Sequence, residues 1–189
     1  LPVIILISSC ATGYTDVEIE SIRKAAESIP VLRSANMSLG VNVLQQLVAM
    51  AARTLEGYDI EIVEKHHNQK LDAPSGTALM LADAANSGLS EKAEYVYSRH
   101  ERREVRPKKE IGIHSIRGGT IVGEHEVIIG TQNQTITLKH EAHSRALFAE
   151  GALAAAAFLV VKKTSLKRYL QQVRTTIYCS SHLKVKCIA

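Results

Sequence analysis

A chain of 189 residues, 46% hydrophobic and 22% charged, has room for one domain, or for one domain and part of a second, with a core that needs no disulfide support. The formal net charge of +4 is uneven: after Val161 come seven Lys and Arg (Lys162, Lys163, Lys167, Arg168, Arg174, Lys184, Lys186) and no acid, leaving sixteen bases against nineteen acids before them. A basic, aromatic-poor terminus is only weak evidence for a nucleic-acid partner, and no apolar run approaches the ~20 residues of a membrane span, so neither partner is expected.

The opening LPVIILISS lacks the charged start and cleavage pattern of a signal peptide and reads as a buried strand over Val3 to Ser8. YTDVEIESIRKAAESI predicts a helix, with Thr15 and Glu18 spaced as a capping box, an apolar face of Val17, Ile22, Ala25, Ala26 and Ile29, and Pro30 as its stop. VLRSAN gives a second short strand, and the β-α-β order implies parallel pairing through a right-handed crossover. In such sheets ligands lie beyond the carboxyl ends of the strands, here SCATG and SANMS. A second helix is expected from about Ser38 to Leu55, striped by Val41, Leu44, Leu47, Val48, Ala51 and Leu55 and closed by Gly57. Then DIEIVEKH alternates as a strand, PSGTALMLADAANSG reads as a helix with Gly88 just beyond its end, and AEYVYS as a brief strand. Arg99 to Lys109 reads as a solvated charged loop. IGIHSIR, TIVGEHEVII and QTITLKHE follow one another across a Gly118-Gly119 turn and a Gly-Thr-Gln-Asn turn, which predicts an antiparallel run. SRALFAEGALAAAAFLVV is the last helix, and residues 164–189 show no clear period. The three cysteines, Cys10, Cys179 and Cys187, form neither a metal spacing nor a paired framework, and fit a reducing compartment.

The densest chemistry lies in EKHHNQKLDAPSGTAL, residues 64–79. On a strand that continued, His66 and His67 would point to opposite faces, so both reach one pocket only if the chain turns there. NQKLDAP supplies a turn and returns Lys70 to the neighbourhood. Asp72 or Ser75 can then cap a helix whose first amides belong to Ser75, Gly76 and Thr77, and free amides at a helix start suit a carboxylate or phosphate. A histidine and a lysine beside that anion could donate a proton. The same residues also fit an ordinary solvated strand end followed by a common helix start. A metal is not expected, because no third ligand has useful spacing and the lysine would repel a cation.

EKHHNQKLDAPSGTA is similar to the signature of dihydrodipicolinate reductase, which reads E-x-H-H-x-x-K-x-D-A-P-S-G-T-A. ATGYTDVEIESIRKAAESIPVL with ANMSLGVNVL resembles that family's second cofactor-domain stretch, and EIGIHSIRGGTIVGEHEV and HEAHSRALFAEGA resemble its later strands and returning helix, so the likeness runs in order over roughly residues 3–163. The resemblance implies α/β plus α+β architecture: a partial Rossmann-like parallel β-α-β unit, then an α+β domain with a mixed, largely antiparallel sheet. It implies a remnant of the dinucleotide-binding domain at 1–36, a substrate-binding and tetramerisation domain at 37–145, a helix returning to the cofactor domain at 146–163, and a divergent basic tail at 164–189. The implied reaction is reduction of 4-hydroxy-tetrahydrodipicolinate to tetrahydrodipicolinate by NADPH or NADH in lysine and diaminopimelate biosynthesis. The implied setting is the cytoplasm (plastid stroma in a plant), with a small dicarboxylate as ligand and a homotetramer formed through the C-terminal sheet.

Carried over by position, His66 becomes the catalytic proton donor or acceptor and Lys70 a second acid that also binds substrate. His67, Ser75, Gly76, Thr77 and Thr12 would hold the substrate. Cys10, Ala11, Thr12, Ser34, Ala35, Asn36 and Met37 would line the cofactor. Arg117 and Glu124 would brace the sheet, and Arg145 the packing at the start of the last helix. Two departures stand out. The family's G-T-T-G turn is Cys10-Ala11-Thr12-Gly13 here, which would weaken dinucleotide binding by about 1 kcal/mol if the first position needs a glycine. G-x-G-x-x-G is absent, so the family's first β-α-β half is expected to lie upstream of Leu1. The alternative function is a non-catalytic substrate-binding and oligomerisation fragment that has lost cofactor binding.

Overall fold

The computed structural model describes residues 7–9, 14–26, 31–34, 36–100 and 102–161. They divide into two compact units, one from the residues up to Leu39 with those from Ala146 onward, the other Gly40–Arg145.

In the first unit β1 (Ile7–Ser9) and β2 (Val31–Arg33) pair in parallel, with α1 (Asp16–Ala25) between them in sequence. The capping box forms: the Thr15 amide donates to Glu18 Oε2 at 2.7 Å, and the Thr15 hydroxyl accepts from the Glu18 amide. The apolar face expected on α1 is not buried, since Val17 is 78% exposed and only Ala26, past the helix end, is covered. A sheet of two strands among the described residues offers that helix little apolar surface to cover. In α4 (Ala146–Val161) a Cβ on Gly151 would fall 1.9 Å from the Met37 carbonyl oxygen, so only glycine allows this approach of helix and chain.

The second unit is built on five strands in the order β4 (Glu94–Val96), β5 (Glu110–Arg117), β3 (Asp59–His66), β6 (Gly123–Gly130), β7 (Thr135–Ala142). The β4–β5 and β5–β3 pairs are parallel and the β3–β6 and β6–β7 pairs antiparallel, so the sheet is evenly mixed rather than largely antiparallel. The expected β5–β6 hairpin is also corrected. β3 lies between those two strands, pairing Ile62 with Ile113 on one side and Val127 on the other. The physical reason is in the burial: β5 opens with four covered residues, Glu110 to Ile113, which suits a position inside a sheet beside parallel neighbours. The Gly118–Gly119 segment therefore crosses the end of β3, with the Gly118 amide donating to the His66 carbonyl at 3.0 Å and the Asn68 amide to the Gly119 carbonyl at 3.2 Å.

One face of the sheet carries the core, Ile60, Ile62, Ile111, Ile113, Val127 and Ile129, against Leu44, Val48 and Ala52 of α2 (Leu39–Thr54) and Ala78, Leu81, Ala82 and Ala85 of α3 (Gly76–Gly88). The buried stripe of α2 is rotated from the expected one: Leu47 is 40% exposed, whereas Asn42, Gln45 and Ala49 are covered. Close contact with α3 explains it, because small residues must face each other where a Cβ on Gly88 would lie 2.3 Å from the Ala49 carbonyl oxygen. Gly88 is the last residue of α3 rather than the first beyond it.

The charged segment after β4 is exposed along most of its length, as expected, but Arg99 and Arg106 are tied to the sheet. Arg99 bridges Glu61 and Glu110 at 2.7 Å each, and Arg106 donates to Glu61 at 2.8 Å and to the Ile60 and Glu110 carbonyls at 3.1 and 2.6 Å. Glu61 finds room for these bonds over Gly112, where a Cβ would sit 1.8 Å from its Oε2. Among the described residues no helix is long and apolar enough to cross a membrane.

Candidate functional site

Strand β3 covers every second residue, and the inward series Ile60, Ile62, Glu64, His66 changes from apolar to ionisable at its carboxyl end. Glu64 is wholly buried and forms the hub of the site. Its Oε1 accepts from Arg117 Nη2 at 2.7 Å and from the Ser75 amide at 3.1 Å. Its Oε2 accepts from Arg117 Nη1 at 2.8 Å and contacts His66 Nδ1 at 2.5 Å. Burial pushes the Glu64 carboxyl up, but hydrogen bonds from His66, Arg117 and Ser115 outweigh it and hold the group well below the usual carboxylate range. Arg117 also donates to the Asp72 carbonyl at 2.7 Å, fastening the loop before α3 to the end of β5.

The strand ends at His66 and the chain turns after it, with the Lys70 amide donating to the His67 carbonyl, so the turn on which a shared pocket for the two histidines depends is present. His66 is 8% exposed, and its ring meets that of His125 edge-on, with centroids 5.1 Å apart at 74°. His67 is half-buried, and Arg145 Nη2 donates to its Nε2 at 3.3 Å. Lys70 is partly covered, is paired with Asp72 at 2.7 Å, and adds its charge to those acting on His125. Burial, then the charge on His66, depress His125 to about 3, so that imidazole is neutral. Its Nε2 lies 2.8 Å from Ser75 Oγ and its Nδ1 is buried with no partner among the described residues.

Ser75 caps α3, its hydroxyl accepting from the Ala78 amide at 3.1 Å. With its own amide given to Glu64 and its hydroxyl engaged by Ala78 and His125, Ser75 ties the start of α3 to the buried groups of the site. Gly76, at the first position of α3, is exposed with open space where a Cβ would be, and Thr77 follows it half-buried. In the smaller unit Ser34, Asn36 and Met37 are all buried. The Ser34 hydroxyl donates to the Asn36 carbonyl at 2.7 Å, and Asn36 Oδ1 accepts from the Ser38 amide at 2.8 Å. Cys10, Ala11, Thr12 and Ala35 lie outside the described residues.

Sequence reasoning left Glu64 and His125 without a role. The signal for Glu64 was its place in the alternation, on the covered side between Ile62 and His66. For His125 the signal was the same alternation in β6, whose odd-numbered residues from Gly123 to Ile129 are buried. Among the described residues no cluster of three or more His, Cys, Asp or Glu could hold a metal.

Fold and site define a class: mixed α/β domains with an imidazole–carboxylate pair at the end of a central strand, beside a capped helix start and nearby cations. Residues 40–173 match the family described as dihydrodipicolinate reductase, C-terminus, and the chain belongs to that family. It is 57% identical over 166 residues to the 4-hydroxy-tetrahydrodipicolinate reductase of Caldanaerobacter subterraneus subsp. tengcongensis, covering 88% of this chain and 64% of the relative. It is 49% identical to the enzyme of that name from Clostridium tetani, covering 83% and 62%. A solved structure described as dipicolinate-bound dihydrodipicolinate reductase from Paenisporosarcina sp. TG-14 is similar at a TM-score of 0.61 and 26% identity, covering 84% of this chain and 59% of that one. The chain thus spans less than two thirds of each of these proteins.

Proposed function

We propose that the chain is the substrate-binding part of a reductase that converts 4-hydroxy-tetrahydrodipicolinate to tetrahydrodipicolinate in the lysine and diaminopimelate route, with NADPH or NADH as hydride source. The observation that carries this is the pairing of His66 with the buried Glu64 at 2.5 Å, at a strand end next to the start of α3. The substrate is a dicarboxylate. Lys70, Arg145 and the exposed start of α3 at Gly76 and Thr77 supply the positive charge and amide dipoles that such a ligand requires, and His67 is oriented by Arg145. His66 is the proton donor or acceptor and Lys70 the second acid, whose pairing with Asp72 holds it in place.

The nicotinamide, when bound, supplies a hydride. Ser34, Asn36 and Met37 would lie on its side of the domain; all three are buried, and the Ser34 hydroxyl holds the main chain of Asn36 at both its carbonyl and its amide. The parallel β1–α1–β2 unit supports reading residues 1–36 as part of a Rossmann-like domain, with 37–145 as the substrate domain and 146–163 as a helix belonging with the former. We assign the sheet of the larger unit to a homotetramer interface and the protein to the cytoplasm. Strand β7, an edge strand exposed along most of its length, supports the interface.

Calorimetric titration of the chain with dipicolinate tests the reading. Binding is expected, and Lys70→Ala and Arg145→Ala should each weaken it by about 10- to 100-fold, the usual worth of a charged hydrogen bond. A chain that folds and does not bind the dicarboxylate ends this assignment.

A further inference from the structure

We infer that Glu64 is the positioning residue of the site, holding the His66 ring with its proton on Nδ1 so that Nε2, set against Gly123, is the nitrogen offered to a ligand. This rests on the reading of His66 as the proton-transfer group. Donors and acceptors around the carboxylate decide the tautomer. An ionised carboxylate only accepts, so each neighbour bonded to Glu64 must donate to it: the two Arg117 nitrogens, the Ser75 amide and the Ser115 side chain. The same holds for His66 Nδ1 at 2.5 Å, which places the ring proton on that nitrogen. Glu64 is also the ring's only side-chain hydrogen-bond partner among the described residues.

The opposite edge of the ring supports the same orientation. A Cβ built on Gly123 would lie 3.0 Å from His66 Nε2, so the first residue of β6 leaves that nitrogen the room a side chain would take. The groups around the ring are Glu64 on β3, Arg117 on β5, His125 on β6 and, acting on His125, Lys70 from the loop. His125 does not compete for Nε2, because its own Nε2 is engaged by Ser75. The balance of a transfer is then simple. An imidazolium at position 66 gives up the proton on Nε2, that N–H bond breaks as the bond to substrate forms, and the ring is left neutral in the tautomer Glu64 already favours.

The test is a two-bond proton–nitrogen correlation spectrum of the folded chain labelled with nitrogen-15 histidine, at a pH where His66 is neutral. Expected is a pyrrole-like Nδ1 and a pyridine-like Nε2 for His66. The reverse pattern in the unmodified chain overturns the inference, and needs no variant to fold. In Glu64→Gln the amide oxygen is drawn to Arg117 and Ser75, which turns the NH2 toward His66. The tautomer should invert, and an unchanged tautomer in a folded Glu64→Gln chain also overturns the inference. Gly123→Ala should keep the Nδ1 proton but shift the Nε2 resonance. Adding dipicolinate to the same sample separates the two claims. A correct tautomer without binding counts against the substrate reading, and binding with the wrong tautomer counts against Glu64.

Discussion

Arg117 is the counter-charge that makes a wholly buried Glu64 tolerable, gripping both carboxylate oxygens within 2.8 Å. Removing it strands an ionised group in the interior. Arg117→Ala should destabilise the protein by about 3–5 kcal/mol in urea unfolding, since breaking one side of a buried pair costs far more than the pair is worth. Lys139 provides the contrast: it bonds Glu124 and Glu141 at 3.0 Å but is 40% exposed, and Lys139→Ala should leave the unfolding midpoint in urea almost unchanged. Equal losses in the two variants would mean that Glu64 is not a buried, paired charge. His66, His67, Lys70 and Gly76 were legible because one short segment holds them. Arg117 was legible only as a brace, because the contact joining it to Glu64 spans 53 positions and nothing local announces it.

Between helices, the contact that matters is Gly88 on Ala49. A Cβ there would come within 2.3 Å of a main-chain oxygen, which no side-chain rotation relieves. Gly88→Ala should therefore cost about 1–3 kcal/mol by pushing α2 and α3 apart, despite the better helix propensity of alanine. Gly76→Ala, with nothing within 4 Å of the new carbon, should leave stability unchanged or slightly higher. Thermal melts of the two variants check both outcomes, and a melt of Gly88→Ala at the parent temperature would show that the helices do not meet there. Most of the helices and strands could be read from periodicity. The neighbours of β3 could not: adjacency in sequence suggested a β5–β6 hairpin, whereas the burial of both strands is satisfied by placing β3 between them.

Acid acts on the protein through groups that the fold keeps in their neutral or ionised form. His125, depressed to about 3 by burial first, refuses a proton that the unfolded chain accepts near the ordinary histidine value. Between those values the unfolded state binds more protons, so stability falls as pH falls. The share of His125 is about 2 kcal/mol between pH 7 and pH 5. Glu61 and Glu64 are depressed carboxyls and add to the loss at lower pH, as the medium passes below the usual carboxylate range. Urea unfolding at stepped pH should show this slope, and His125→Gln should flatten its upper part; an unaltered slope would locate the linkage elsewhere. The alternation in GEHEV puts His125 on the side of Val127 but does not say how deeply it is covered, because a histidine's burial depends on the strand register around it.

The place of β3 has one more outcome, which concerns synthesis. Both of its flanking partners lie more than forty residues downstream, so a ribosome delivers the middle of the sheet long before either edge that will enclose it. Until Arg117 has emerged that strand has neither neighbour to bond, and until Gly130 only one, so the chain depends on α2 and α3 to shelter it from neighbouring nascent chains.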